Sequence, residues 1–216
     1  MRIFKDRTEA GKKLAEALLS YKEEQPLVLA LPRGGVPVGA VVAEALGAPL
    51  DTIVARKIGA PLHPEFGVGA IAPGDVLILD EVSISAHGIQ RYDLDAVIDQ
   101  EQKEMERRMI KYKSGEYAKG KNADTVILVD DGLATGVTAR AAIQSAKLTY
   151  KPKKIIFAAP ICAQDSARDL GNAADEVVCL SSVDNLVAIG YWYEEFEQTT
   201  DREVLEYLTL ANQNFT

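Results

Sequence analysis

Residues 126–138 read Val-Ile-Leu-Val-Asp-Asp-Gly-Leu-Ala-Thr-Gly-Val-Thr, and no other stretch constrains the fold as much. An apolar run, Val126 to Val129, stops at two adjacent carboxylates, Asp130 and Asp131. A short glycine-containing loop follows, then a helical pattern from Val137 through Leu148. An apolar run without alternation suits a parallel strand covered on both faces. Strand, loop and helix in that order make one unit of an α/β fold.

The loop has a definite chemistry. Gly132 and Gly136 relieve backbone crowding, and Thr135 and Thr138 place hydroxyls where the helix begins. A helix start offers unpaired N–H groups and the positive end of the dipole, so it can hold a phosphate. Asp130 and Asp131 would repel that phosphate if they pointed at it. They should instead face sugar hydroxyls or a metal ion. A phosphate cradle beside two carboxylates points to a phosphorylated sugar. The stretch has no Gly-Lys-Ser/Thr of a P-loop and no Gly-x-Gly-x-x-Gly after a strand.

Four apolar residues, Asp-Asp, a short spacer and Thr-Gly-x-Thr together resemble the phosphoribosyl-diphosphate (PRPP) loop of the type I phosphoribosyltransferases. The resemblance covers roughly residues 27 to 180. It implies an α/β fold with a doubly wound, mostly parallel sheet. It also implies a single domain over residues 1–216, with a core at about 27–180 and a helical insert at about 89–120. A small hood would be built from the terminal segments.

The rest of the chain is compatible with that plan. Asp6 with Glu9 three residues on reads as the N-cap of an amphipathic helix ending near Tyr21. Leu27 to Leu31 is a short buried strand. It leads into the glycine-rich loop Pro32-Arg33-Gly34-Gly35-Val36-Pro37-Val38-Gly39 and a helical stretch from Ala40 to Leu46. Gly34 and Gly35 would let backbone N–H groups approach phosphate oxygens, and Arg33 could bind them bidentately. In the resembling family the loop after the first core strand binds pyrophosphate.

Asp51 to Ala55 reads as a third strand. It runs into Arg56-Lys57 and a stretch rich in glycine and proline to Gly67, which reads as a mobile functional loop. The resemblance implies a flexible loop here that closes over the reaction centre. Arg56 and Lys57 are then candidates to neutralise the leaving pyrophosphate. His63 and Glu65 are titratable residues of the same stretch, and the longer basic signature of the family's loop is absent. Residues 67–71 and 76–80 form a hairpin pattern across Pro73-Gly74-Asp75. Arg91 to Lys113 is a charged helical pattern, and Lys119-Gly120-Lys121-Asn122 a polar connector. Further strands are expected at Lys153–Pro160 and Glu176–Leu180, with a helix at Ala163–Leu170 between them. Strand and helix patterns thus alternate from 27 to 180, as in a parallel sheet with helices on both faces. Tyr191, Trp192, Tyr193 and Phe196 concentrate aromatic rings in the tail, where they would either stack on a planar base or pack the tail onto the sheet. Thr200 to Glu203 is a capping box that opens a last helix.

Composition narrows the classes. A net charge of −8 over 216 residues argues against a nucleic-acid or membrane-surface binder. An anionic ligand must therefore be held by a local cluster of cations. The two cysteines, Cys162 and Cys179, lack metal-ligand spacing and read as buried free thiols. Charged residues follow Met1 directly and no apolar run would span a bilayer, so a cytoplasmic setting is expected.

By resemblance, then, the expected reaction moves ribose 5-phosphate from PRPP to a nitrogen acceptor and releases pyrophosphate. Asp130 and Asp131 would hold the ribose hydroxyls, directly or through Mg²⁺. Ala134, Thr135, Gly136, Val137 and Thr138 would cradle the 5′-phosphate, and Arg33, Gly34 and Gly35 would contact the pyrophosphate. The expected partners are PRPP and an unidentified small-molecule acceptor, with a homodimer as the family expectation. The rival reading is a PRPP-binding regulator with little or no transferase activity. A receiver-type signalling domain fits poorly, because its acidic cluster lies near the first strand and here several strands precede it.

Overall fold

The computed structural model describes residues 3–118, 123–213 and 215. The connector read at residues 119–122 lies outside them. Five strands form one parallel sheet: β1 (Leu27–Ala30), β2 (Leu50–Thr52), β6 (Thr125–Val129), β7 (Lys154–Ala163) and β8 (Glu176–Val183). Their spatial order is β2-β1-β6-β7-β8. A separate antiparallel meander joins β3 (Arg56–Ala60), β4 (His63–Ala72) and β5 (Val76–Leu79).

Residues 126–129 are fully buried, and alternate side chains enter two different cores. Val28, Ala30, Ile127 and Val129 face one side. There they meet α1 (Arg7–Leu18), α2 (Gly35–Leu46) and α7 (Asp201–Ala211) through Leu14, Leu18, Val42 and Leu208. Leu27, Leu29, Val126 and Leu128 face the other side, against Ala139, Ala142, Ile143 and Ala146 of α5 (Val137–Tyr150). Each fully buried aliphatic side chain contributes roughly 1.5–3 kcal/mol relative to exposure, which selects this register over a one-residue slip.

Strand order fixes where a site can form. From β1 the chain moves outward to β2, then returns to place β6 on the other side of β1. The loops after β1 and β6 therefore lie side by side at the carboxyl edge, at the switch point where ligands bind in open α/β sheets.

Two expectations need correction. Residues 56–67 are not an irregular loop. They belong to β3 and β4, paired antiparallel with a register shift around Gly59. Lys57 and Ile58 can pair because Pro61-Leu62 supplies the turn between the strands. The second correction concerns the cysteines. Cys162 and Cys179 are joined as a disulfide, with Cα atoms 6.3 Å apart. Their separation of 17 residues hides the fact that β8 is the parallel neighbour of β7.

The remaining elements are α3 (Glu81–Ala86), α4 (Arg91–Tyr112) and α6 (Gln164–Leu170). The α1 and α7 N-termini are capped as read: Asp6 accepts from Glu9 N–H, and Thr200 with Glu203 forms a full capping box. The N-terminal segment is stitched to the tail. Phe4 pairs with Tyr193, and Glu194 N–H donates to the Phe4 carbonyl at 2.9 Å.

Candidate functional site

The loop after β1 and the loop after β6 are packed in direct contact. The Pro32–Arg33 peptide is cis, and α2 begins at Gly35. A Cβ on Gly34 would lie 2.0 Å from Asp131 Oδ2. A Cβ on Gly35 would lie 2.7 Å from the Val129 carbonyl oxygen. Glycine is required at both positions by this close approach, because Gly34 has an ordinary φ of −62°.

The two carboxylates have different surroundings. Asp131 is buried and its Oδ2 accepts from Arg7 Nε at 2.9 Å, with Arg7 Nη2 at 2.8 Å. Its main-chain carbonyl accepts from the Tyr193 hydroxyl at 2.7 Å. Arg7 also donates to the Glu197 carbonyl, and its guanidinium lies 3.9 Å from the centre of the Phe196 ring. Asp130 is half-buried, and its Oδ1 accepts from Asp131 N–H at 2.8 Å. No salt bridge reaches Asp130 among the described residues. Desolvation, then the neighbouring Asp131 charge, pushes the Asp130 carboxyl well above the usual carboxylate range. Desolvation also raises Asp131, but the Arg7 charge and hydrogen bond oppose it. The pair is thus split into a carboxylate anchored by Arg7 and one with no salt-bridge partner of its own among the described residues.

The loop that follows is fixed on one side. Leu133 N–H donates to the Ile161 carbonyl and Ala163 N–H to the Leu133 carbonyl, each at 2.8 Å. Ser166 Oγ donates to the Ala134 carbonyl. Ile189 of the tail packs over Gly132. Gly136 has φ +75° at the N-cap of α5, a conformation that glycine adopts without Cβ strain. Among the described residues no side chain caps this helix, so the N–H groups of its first turn keep their capacity to donate. Thr135 and Val137 line a cavity of about 610 Å³, shared with Phe66, Asp80, Ser83 and Arg140.

The other cations read from the sequence are engaged by carboxylates. Arg33 Nη1 lies 3.4 Å from Asp201 Oδ1. Arg56 pairs with Glu101 of α4, Nη2 to Oε2 at 2.6 Å. Lys57 lies 3.5 Å from Glu65 Oε2 and donates to the Glu65 carbonyl. His63 lines a second cavity, about 560 Å³, with Phe66 and His87. The structure therefore brings Gly34, Gly35, Asp130 and Asp131 together. No hydrogen bond among the described residues joins Arg56 or Lys57 to that group.

In the tail, Tyr193 and Phe196 stack on each other at 4.9 Å and pack with Phe4. Tyr191 is 68% exposed. Arg7, Tyr193 and Ser166, which hold the loop after β6, were not singled out for these roles by the sequence. Arg7 lies 124 residues from Asp131 and has the appearance of an ordinary first-turn helix residue.

Among the described residues, no group of three or more His, Cys, Asp or Glu side chains could hold a metal ion by itself. No helix there is long and apolar enough to cross a membrane.

Residues 4–195 match the phosphoribosyl transferase domain family. TT1426 of Thermus thermophilus, a crystal structure, is 36% identical with a TM-score of 0.75. That match covers 96% of this chain and 98% of the Thermus chain. Two Mycobacterium tuberculosis proteins, from two different strains, carry provisional phosphoribosyl transferase names and are each 38% identical over 215 residues. The chain spans about half the length of these curated relatives, 48% of each. With the family match running through the β1 and β6 loops and both carboxylates, the chain belongs to the phosphoribosyl transferase domain family.

Proposed function

We propose that this chain binds PRPP where the loops after β1 and β6 meet and transfers its ribose 5-phosphate to a nitrogen acceptor, releasing pyrophosphate. One juxtaposition supports the reading: at the topological switch point the glycine loop after β1 packs against the Asp130–Asp131 loop, which leads on to the start of α5.

Residues 134–138 would receive the 5′-phosphate. Their backbone N–H groups, the α5 dipole and the Thr135 and Thr138 hydroxyls supply donors without a lysine. Asp130 would accept from the ribose hydroxyls. Asp131 is held by Arg7 and acts as the fixed base of the loop, through which Asp130 is positioned. Arg33, Gly34 and Gly35 would hold the pyrophosphate, with backbone approach allowed by the missing side chains. As the glycosidic bond breaks, positive charge grows on the ribose ring and negative charge on the leaving pyrophosphate. Carboxylate and cations placed on opposite sides of that bond stabilise both. Arg56 and Lys57 would serve the leaving group after exchanging their present carboxylate partners.

Mg²⁺ fits this donor set in one way. Asp130 has no salt-bridge partner of its own among the described residues, and Mg²⁺ is often held by one or two carboxylates together with substrate oxygens and water. Asp131 Oδ2 is committed to Arg7 and is a poor direct ligand. The ion would neutralise charge on the diphosphate when it arrives with the substrate.

A PRPP-binding regulator is the second reading, favoured by the ion pairs that occupy both Arg56 and Lys57. Calorimetric titration with PRPP, with and without Mg²⁺, tests the shared part. Binding lost in Asp130→Asn supports the site, and absence of binding under both conditions removes it. Turnover with a panel of purine, pyrimidine and non-nucleobase nitrogen acceptors then separates transferase from regulator.

A further inference from the structure

Asp201 opens α7, and its carboxylate gathers more positive charge than it can balance. Its Oδ2 lies 2.7 Å from Lys111 Nζ and 3.7 Å from Arg107 Nη1. Its Oδ1 accepts from the Tyr112 hydroxyl at 2.6 Å and lies 3.4 Å from Arg33 Nη1. Lys111, then Tyr112, hold this carboxylate well below the usual carboxylate range. One further carboxylate adjoins the group: Glu104 pairs with Arg107 and Arg108. Arg33, Arg107, Arg108 and Lys111 thus face Asp201 and Glu104, an excess of positive charge in a chain of net charge −8.

The two arginine contacts, Arg33 at 3.4 Å and Arg107 at 3.7 Å, are longer than those of Lys111 and Tyr112. Charge-assisted N–H···O bonds are about 2.7–2.9 Å long. Lys111 meets that length, while Arg33 is held at 3.4 Å. Asp201 is therefore anchored by α4 and only loosely linked to the loop after β1.

We propose that Arg33 and Lys111 form an anion subsite for the diphosphate group of the substrate, and that Asp201, steadied by the buried Tyr112 hydroxyl, is its built-in counter-ion, which the diphosphate must displace from Arg33. This rests on the assignment of the β1 loop to pyrophosphate. It extends the site to α4 and gives α7 a competing role. While Asp201 is in place, it cancels charge on Arg33 and repels an arriving phosphate. When a diphosphate binds, Arg33 transfers to it, and Lys111 offers a second cation on the same side. The carboxyl-terminal helix thus sets the affinity for product as well as substrate.

The test is calorimetric titration of the full chain with inorganic pyrophosphate near neutral pH. In Asp201→Asn the Tyr112 hydroxyl keeps an oxygen to donate to, while the competing charge is gone. Binding is expected to tighten roughly five- to tenfold, the size of one partly screened charge contact. Adding Lys111→Gln to that background should reverse most of the gain. If Asp201→Asn binds pyrophosphate no tighter, while Arg33→Ala loses it, the counter-ion proposal is overturned and the β1 loop assignment survives. If wild type and Asp201→Asn both fail to bind pyrophosphate, that assignment falls and takes the proposal with it. Should Asp201→Asn not fold, Lys111→Gln in the wild-type background decides. Weaker pyrophosphate binding supports the subsite, and unchanged binding overturns it.

Discussion

Arg7 and Asp131, 124 residues apart in sequence, are joined by two guanidinium nitrogens on one carboxylate oxygen, at 2.9 and 2.8 Å. This pair ties the first helix to the loop after β6 and divides the acidic dyad into an anchored member and one with no salt-bridge partner of its own among the described residues. The pair therefore ties the N-terminal segment to the candidate site.

Arg7→Met should strand the buried Asp131 charge. Breaking a buried ion pair from one side costs about 3–5 kcal/mol. Asp131→Asn combined with Arg7→Met should cost much less than the sum of the single changes, because no charge is then left unpaired. Urea unfolding of the four proteins measures the cycle. PRPP titration of Arg7→Met should show weakened binding, since the loop carrying Asp130 loses its anchor. An additive cycle would mean that the pair contributes no coupling.

Asp130→Asn should separate stability from function. The folded-state carboxyl of Asp130 lies above its ordinary value of 3.8. Below the unfolded value both states hold the proton, and the group contributes nothing to pH dependence. As pH rises through the raised folded value, the folded protein must give up a proton at a cost, so stability falls. The substitution removes that cost. Relative to wild type, the variant should gain about 1 kcal/mol at neutral pH, or roughly 2–4 °C in Tm, and no gain below about pH 4. PRPP binding should be lost at the same time. Equal Tm values at pH 7 would show that Asp130 carries no penalty.

Gly34→Ala should fail for a reason different from the usual glycine argument. Its backbone angles suit any residue, but a methyl group would overlap Asp131 Oδ2 at 2.0 Å. The expected loss is about 1–3 kcal/mol, from forced movement of packed groups. Gly47 offers the contrast, with φ +61° and open space around it. Gly47→Ala should cost about 1 kcal/mol through the backbone alone. Only Gly34→Ala should also reduce PRPP affinity.

The parallel sheet was legible where its strands are apolar runs, as at Leu27–Ala30 and Val126–Val129, and the strand–loop–helix unit because its glycines and threonines sit at a helix start. Strand order was not written locally. The meeting of Gly34 with Asp131 and the disulfide between Cys162 and Cys179 both depend on which strands become neighbours. The stretch from Arg56 to Gly67 looked like a loop because its glycines and prolines suggest one. Tertiary pairing with β5 through β4 makes it a meander instead. Charge partners across long separations, such as Arg7 with Asp131 and Arg33 with Asp201, leave no periodic signal.

Lys57 and Arg56 are adjacent in β3, yet their partners predict opposite consequences. Arg56 is fixed to Glu101 by hydrogen bonds of 2.6–2.7 Å from Nη2 and Nε, and both side chains are partly buried. Lys57 meets Glu65 at 3.5 Å, and the Glu65 side chain is fully exposed. An exposed pair of this kind is worth little, so Lys57 can leave Glu65 at small cost. Lys57→Ala should leave the unfolding midpoint nearly unchanged and lower single-turnover release of pyrophosphate from PRPP roughly 100-fold, the usual effect of removing one transition-state donor. Arg56→Ala should lower the unfolding midpoint, because Glu101 loses its partner against β3. Paired thermal melts and single-turnover assays on both variants read these effects. If Arg56→Ala abolishes release at unchanged stability while Lys57→Ala is silent, the roles of the two cations are exchanged.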